Sequence, residues 1–165
     1  MSLVLAWLRA AAYALWAVPL AAGPIPPRLR VPRRLLGEWV NPRKYSAARA
    51  FWHSMLSGAL GVVTWFLAFL AVLGAVRGLF YPLLTSGGYG NAWGGPTLAG
   101  AWAVHALIGV ALLPVWLLLC AGIGALQVRL TRAILGRAGP RWPVALTVLL
   151  CAAGVLLFVS WVQQV

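Results

Sequence analysis

Apolar residues fill four long stretches of the chain, residues 3–22, 55–76, 101–126 and 143–162, and the segments between them are basic, then glycine-rich, then basic again. A helix needs about 20 largely apolar residues to cross a hydrocarbon core of about 30 Å, and each stretch meets that length. The pattern predicts an all-α fold: an integral membrane bundle of four transmembrane helices, forming one membrane domain over residues 1–165. Trp142 and Trp161 frame the last stretch, and their spacing corresponds to about 28 Å of helix, close to the hydrocarbon thickness. Trp52 and the pair Phe80–Tyr81 frame the second stretch in the same way.

The first stretch holds Trp7, Tyr13 and Trp16, but also Arg9. That arginine must snorkel or find a partner; otherwise residues 1–22 lie on the membrane and three spans remain. Its charge follows the apolar start instead of preceding it, so a retained helix is expected and not a secretory signal. Gly23–Pro24 and Pro26–Pro27 read as a stop. Pro32 suits a first helical position, and Leu35, Leu36, Trp39 and Val40 share a face opposite Arg33, Arg34, Gly37 and Glu38, which predicts a short interfacial helix ended by Asn41–Pro42. Pro114 should kink the third span. Beyond the membrane, Leu126, Leu130 and Ile134 keep helical spacing as far as Gly136 and the Gly139–Pro140 break.

Composition places the chain in lipid: 63% of the 165 residues are hydrophobic and the mean hydropathy is +0.92, outside the range of water-soluble domains. Thirteen Lys and Arg oppose a single acid, for a net charge of +12. The location of that charge decides what it means. Arg28, Arg30, Arg33, Arg34, Arg43, Lys44 and Arg49 lie between the first two stretches, Arg129, Arg132, Arg137 and Arg141 lie between the last two, and residues 80–100 carry none. Basic loops flanking spans stay in the cytoplasm. Loops 23–54 and 127–142 are therefore expected inside, loop 80–100 outside and both termini outside, in a bacterial plasma (inner) membrane. Nucleic acid is not an expected partner; the bilayer is, together with a membrane protein partner or a second copy of the chain. Arg33, Arg34, Trp39, Arg129 and Arg132 are the candidate contacts to such a partner or to lipid headgroups.

Glu38 is the sole carboxylate. Two-carboxylate hydrolysis, carboxylate metal cages and Ser-His-Asp triads need more, so no catalytic residue, metal or cofactor is expected, and no enzyme. Glu38 should pair with Arg34 or with a loop arginine. His53 and His105 fall near opposite mouths of their spans, about 20 Å or more apart by rise per residue, too far to share one haem iron. His53 reads as interfacial. His105, with Trp102, Tyr89 and Trp93, is the candidate ligand-sensing group on the outer side. Cys120 and Cys151 read as packing residues. Small residues at Ser57, Gly61, Ala121, Ala125 and Gly154 are the candidate helix-packing positions, because close approach drives association in lipid. Glycines 87, 88, 90, 94 and 95 follow no phosphate-loop spacing and read as turn formers.

Three features between Trp39 and Gly136 resemble the bacterial sensor-domain membrane module found at the front of many histidine kinases. They are the approach Arg43-Lys44-Tyr45-Ser46-Ala47-Ala48-Arg49-Ala50-Phe51-Trp52, the apolar hairpin with its Gly- and Trp-containing loop, and the exit helix Arg129-Leu130-Thr131-Arg132-Ala133-Ile134-Leu135-Gly136. The resemblance implies a non-catalytic sensing or regulatory module acting through a partner protein, with the exit helix as connector. Here that helix leads into another apolar stretch and not into a phosphoacceptor helix, so kinase activity is not implied. The competing expectation is a structural or assembly subunit of a larger membrane complex, such as a transporter or respiratory assembly.

Overall fold

The computed structural model describes residues 2–44, 46–85, 87–137 and 139–164; Tyr45, part of the 43–52 approach, lies outside the described residues. The elements are α1 (Leu3–Leu15), α2 (Ala17–Ala22), α3 (Ile25–Leu36), α4 (Ala47–Leu79), α5 (Tyr81–Leu84), a 3-10 turn at Tyr89–Asn91, α6 (Leu98–Ala111), α7 (Leu113–Leu135) and α8 (Trp142–Val162). The described chain is thus all-helical. Three helical runs are long and apolar enough to cross a membrane: Ala47–Leu79, Leu98–Leu135 and Trp142–Val162. The first two, at 33 and 38 residues, correspond to about 50 and about 57 Å of helix, well beyond a hydrocarbon core. α4 therefore starts before the apolar stretch 55–76. Ser46 begins it, its Oγ accepting the Arg49 N–H at 3.3 Å, and the alanines that follow favour helix.

Residues 3–22 are not one helix. α1 has 13 residues and α2 has 6, and neither alone reaches span length; they meet at Trp16, which stays right-handed helical at φ −73, ψ −6. Pro19 has no N–H to offer the Leu15 carbonyl four residues back. The Trp65 indole of α4 donates to that carbonyl instead, at 3.0 Å.

The interfacial helix also differs from the expected one, because α3 starts at Ile25 and stops at Leu36. Pro26 and Pro27 stand in its first turn, where the backbone N–H groups have no intrahelical acceptor, so the missing donors cost nothing. Gly37 ends the helix in the left-handed region at φ 71, with its N–H on Arg33 O and the Glu38 N–H on Pro32 O. Trp39 and Val40 consequently lie past the helix. In the third run, the interruption near Pro114 falls at Leu112, between α6 and α7.

The chain forms two compact units, residues 1–66 with 118–165, and residues 67–117. In the first, a Cβ on Gly61 of α4 would lie 2.8 Å from Val18 Cγ2, and one on Gly154 of α8 would lie 2.6 Å from Val63 Cγ2; both glycines sit where helices cross. Ala121 is buried. A side chain on Gly124 would collide with the Ala10 carbonyl, so α1 and α7 come closest beside the expected Ala121–Ala125 pair. Residues 41–43 run antiparallel to 135–137 through a Pro42–Gly136 bridge, Arg43 N–H to Leu135 O at 3.0 Å and Arg137 N–H to Asn41 O at 3.1 Å. The two basic segments are therefore joined to one another. In the second unit, a Cβ on Gly109 of α6 would lie 2.7 Å from the Gly74 carbonyl of α4, and one on Gly78 would meet the His105 carbonyl.

Candidate functional site

The first unit is centred on a buried chain of polar side chains at its basic end. Arg28 of α3 is only 6% exposed. Its Nη2 donates to the carbonyls of Ala21 (2.8 Å) and Gly23 (2.7 Å), and its Nη1 to Ala50 O (3.4 Å) and His53 Nδ1 (3.3 Å). Positive charge at the carbonyl end of α2 is favourable, and those carbonyls have no helical partner. Burial pulls the Arg28 pKa down from its ordinary value, but a guanidinium starts so high that it stays charged.

Arginine can only donate, so His53 Nδ1 accepts and the ring proton sits on Nε2. Nε2 then donates to Thr131 Oγ1 of α7 at 3.0 Å, and Thr131 Oγ1 donates to Gln127 O at 2.8 Å. Tyr13 of α1 adds a side-chain hydrogen bond to Thr131. One turn further along, Ser57 Oγ donates to Gln127 Oε1 at 2.9 Å while Gln127 Nε2 donates to Ser57 O at 3.0 Å. The cluster ties α1, α2, α3, α4 and α7 together. Such a network rigidifies as its members are satisfied, and Arg28 Nε is a buried atom of the cluster with no partner among the described residues.

His53, expected at the interface, is packed inside the first unit: it is 2% exposed, with both ring nitrogens engaged. The sequence reading also missed Arg28, Gln127 and Thr131. Ser57, taken as a small packing residue, is buried and acts through its hydroxyl.

Above this cluster, Glu38 pairs with Arg132, not with Arg34. Arg132 also donates from Nε and Nη2 to the Trp39 carbonyl, at 3.2 and 3.1 Å. The Arg33 guanidinium lies 3.7 Å from the Trp39 ring centroid, and that of Arg129 lies 5.4 Å from the Trp142 ring centroid. Arg30, Arg33 and Arg34 line one open recess on α3, and all three are exposed.

In the second unit, His105 stacks on Tyr81 at 4.1 Å between centroids and donates from Nδ1 to Ala101 O at 2.7 Å, while Trp102 Nε1 donates to Leu79 O at 2.9 Å. Two of the four expected sensing residues are therefore fixed on helix carbonyls. Trp93 is exposed, and Tyr89 lies in the 3-10 turn. A cleft of about 490 Å³ in this unit is lined by Arg77, Tyr81 and Thr85 among others, and none of the four is among its lining residues.

No family model, no curated protein and no solved structure matches the chain.

Proposed function

We propose that the chain is a non-catalytic, multi-pass membrane protein that works as a sensor-like or regulatory module through a protein partner. Its basic segments face the cytoplasm of a bacterial plasma membrane, residues 80–100 face outward, and α1 with α2 makes a fourth crossing. The observation that carries this reading is the bonding of Arg28 to His53 and, through Thr131, to α7. It fixes the basic helix α3 to the first-unit parts of two membrane helices, so a shift in either helix displaces the arginine surface. Arg30, Arg33, Arg34 and Trp39 stay exposed on that surface and are the partner-facing residues. Trp102 holds the end of α4 through the Leu79 carbonyl, and His105 stacks on Tyr81 of α5; this second unit is where a signal would act.

Purification from native membranes in mild detergent tests the proposal. A partner should co-purify with the chain and be lost when Arg30 and Arg34 are both replaced by Glu, with insertion intact. Unchanged co-purification of that variant would count against it. Labelling of a cysteine placed at position 34 by an impermeant reagent from outside intact cells would overturn the orientation.

A second reading, a structural subunit of a transport or respiratory assembly, is favoured by α8. Most of its large apolar side chains are exposed, and it borders an apolar cleft of about 370 Å³ with α4. A stoichiometric complex with transport or redox proteins in the same purification would select it.

A further inference from the structure

Three helices enclose a recess of mixed character at the basic end of the first unit. Its volume is about 290 Å³; Ala10 of α1, Leu36 of α3, and Ala125 and Val128 of α7 form its apolar wall, and Arg129, Arg132 and Glu38 form its charged mouth. Arg129 and Arg132 stand three residues apart on one helix and share a face. The chain holds one acid, and Arg132 already has it. Among the described residues the charge of Arg129 therefore has no carboxylate partner; its guanidinium lies over the ring of Trp142, whose quadrupole attracts a cation without neutralising it. Arg132 uses Nε and Nη2 on Trp39 and Glu38, which fixes its guanidinium at the mouth. Trp39 and Trp142 are both exposed beside these arginines, as tryptophans are at the headgroup level of a membrane.

We infer that this recess binds an anionic phospholipid, its phosphate on Arg129 at the mouth and its glycerol and first methylenes against Ala10, Leu36, Ala125 and Val128. Phosphate is the shared chemistry of a lipid headgroup and of the free ion. The apolar wall favours the lipid, because a free phosphate gains nothing from it. The Glu38–Arg132 pair is neutral as a unit, so the mouth carries the single net positive charge of Arg129, matching a phosphodiester. This inference rests on the recess and does not require the partner reading above.

Native mass spectrometry of the full-length chain, offered equal amounts of phosphatidylglycerol and phosphatidylcholine in mild detergent, tests it. The unmodified chain should retain phosphatidylglycerol in preference. Arg129→Gln should lower that retention about tenfold, the effect of losing one charge-assisted bidentate contact. Ala125→Leu should lower it by filling the wall with every charge in place, while Lys44→Gln, a basic residue outside the recess, should leave it unchanged. Arg129 is exposed, so its replacement should keep the helical circular dichroism of the parent, and that spectrum is recorded for each variant. Equal retention of the two lipids overturns the inference. So does an equal loss from Arg129→Gln and Lys44→Gln, which would mean diffuse attraction to the whole basic surface. Release of the lipid by millimolar inorganic phosphate would assign the site to the free anion and overturn it as well.

Discussion

Residues 1–66 with 118–165 are joined by buried side-chain hydrogen bonds beside their close glycine contacts, whereas in the described part of residues 67–117 the bonds bury no polar cluster and α4 meets α6 chiefly where side chains are missing. In the first unit Arg28, His53, Thr131, Gln127 and Ser57 reach between helices. In the second, α4 and α6 touch backbone to backbone at Gly78 and Gly109. Lipid tails are as apolar as leucine, so hydrophobic exclusion does little to bring helices together inside a membrane. Two kinds of contact remain, polar bonds and close dispersion contact; the first unit combines them, and the second relies chiefly on close contact with one indole bond, Trp102 Nε1 to Leu79 O, beside it. The polar kind belongs at the basic end, where the charge of Arg28 has backbone carbonyls to meet and water is near for its solvated neighbours.

Arg28→Leu is the strongest way to break this contrast. It strands the Ala21 and Gly23 carbonyls and His53 Nδ1, and should cost about 3 kcal/mol, measured by denaturant unfolding in micelles. Arg28→Lys should recover little, since one ammonium cannot reproduce a planar fork serving four acceptors. An unchanged unfolding midpoint for Arg28→Leu would show that the polar cluster does not hold the first unit.

The next effect belongs to the second unit. Gly78→Ala adds one methyl against the His105 carbonyl, while nothing lies within 4 Å of a Cβ on Gly74. The first change should cost about 2 kcal/mol through overpacking. Gly74→Ala should be neutral or slightly stabilising, because alanine is the better helix former. Equal effects from the two would mean that close approach is not what joins α4 to α6.

Gln127→Leu should cost about 1 kcal/mol, the scale of side-chain hydrogen bonds inside membranes. Ser57→Ala should cost no more. Because Ser57 and Gln127 bond each other reciprocally, the double variant should cost much less than the sum of the two. Additivity, read from the same unfolding curves, would show that each residue has another partner.

The long apolar runs were legible because their signal is length and composition, which lipid enforces directly. The joining of the two basic segments was legible only as shared sidedness; the pairing of residues 41–43 with 135–137 has no sequence signal, since any extended strand can bridge a helix end. Arg28 was not legible as a core residue, because an arginine among prolines reads as solvated loop and only the folded chain shows the open carbonyls of α2 that receive it. Pro26–Pro27 misled for a related reason: the same residue stops a helix from inside and starts one from its first turn. Gly61 and Gly154 were found by their size. Gly78 and Gly109 carry an equal signal of size, and only the folded chain separates them from Gly74, whose Cβ position is open. Of the residues expected to sense a ligand, His105 and Trp102 are fixed on backbone carbonyls of their unit, but the ring facing His105 is that of Tyr81, eight residues before Tyr89.

Trp65→Phe is the smallest change and the most specific. The indole N–H of Trp65 bonds the Leu15 carbonyl, which is open because Pro19 has no N–H to place there. Removing that donor should cost about 0.5 kcal/mol, the low end for a neutral hydrogen bond, since the residue is half exposed. Pro19→Ala should supply a backbone N–H to the same carbonyl and fuse α1 with α2. In that background Trp65→Phe should cost almost nothing. The difference between the two backgrounds isolates the bond from the packing of the ring, which Phe largely keeps. If Trp65→Phe costs the same with and without Pro19, the indole contributes by area alone, and this attachment of α1 to α4 through a missing backbone donor has no energetic weight.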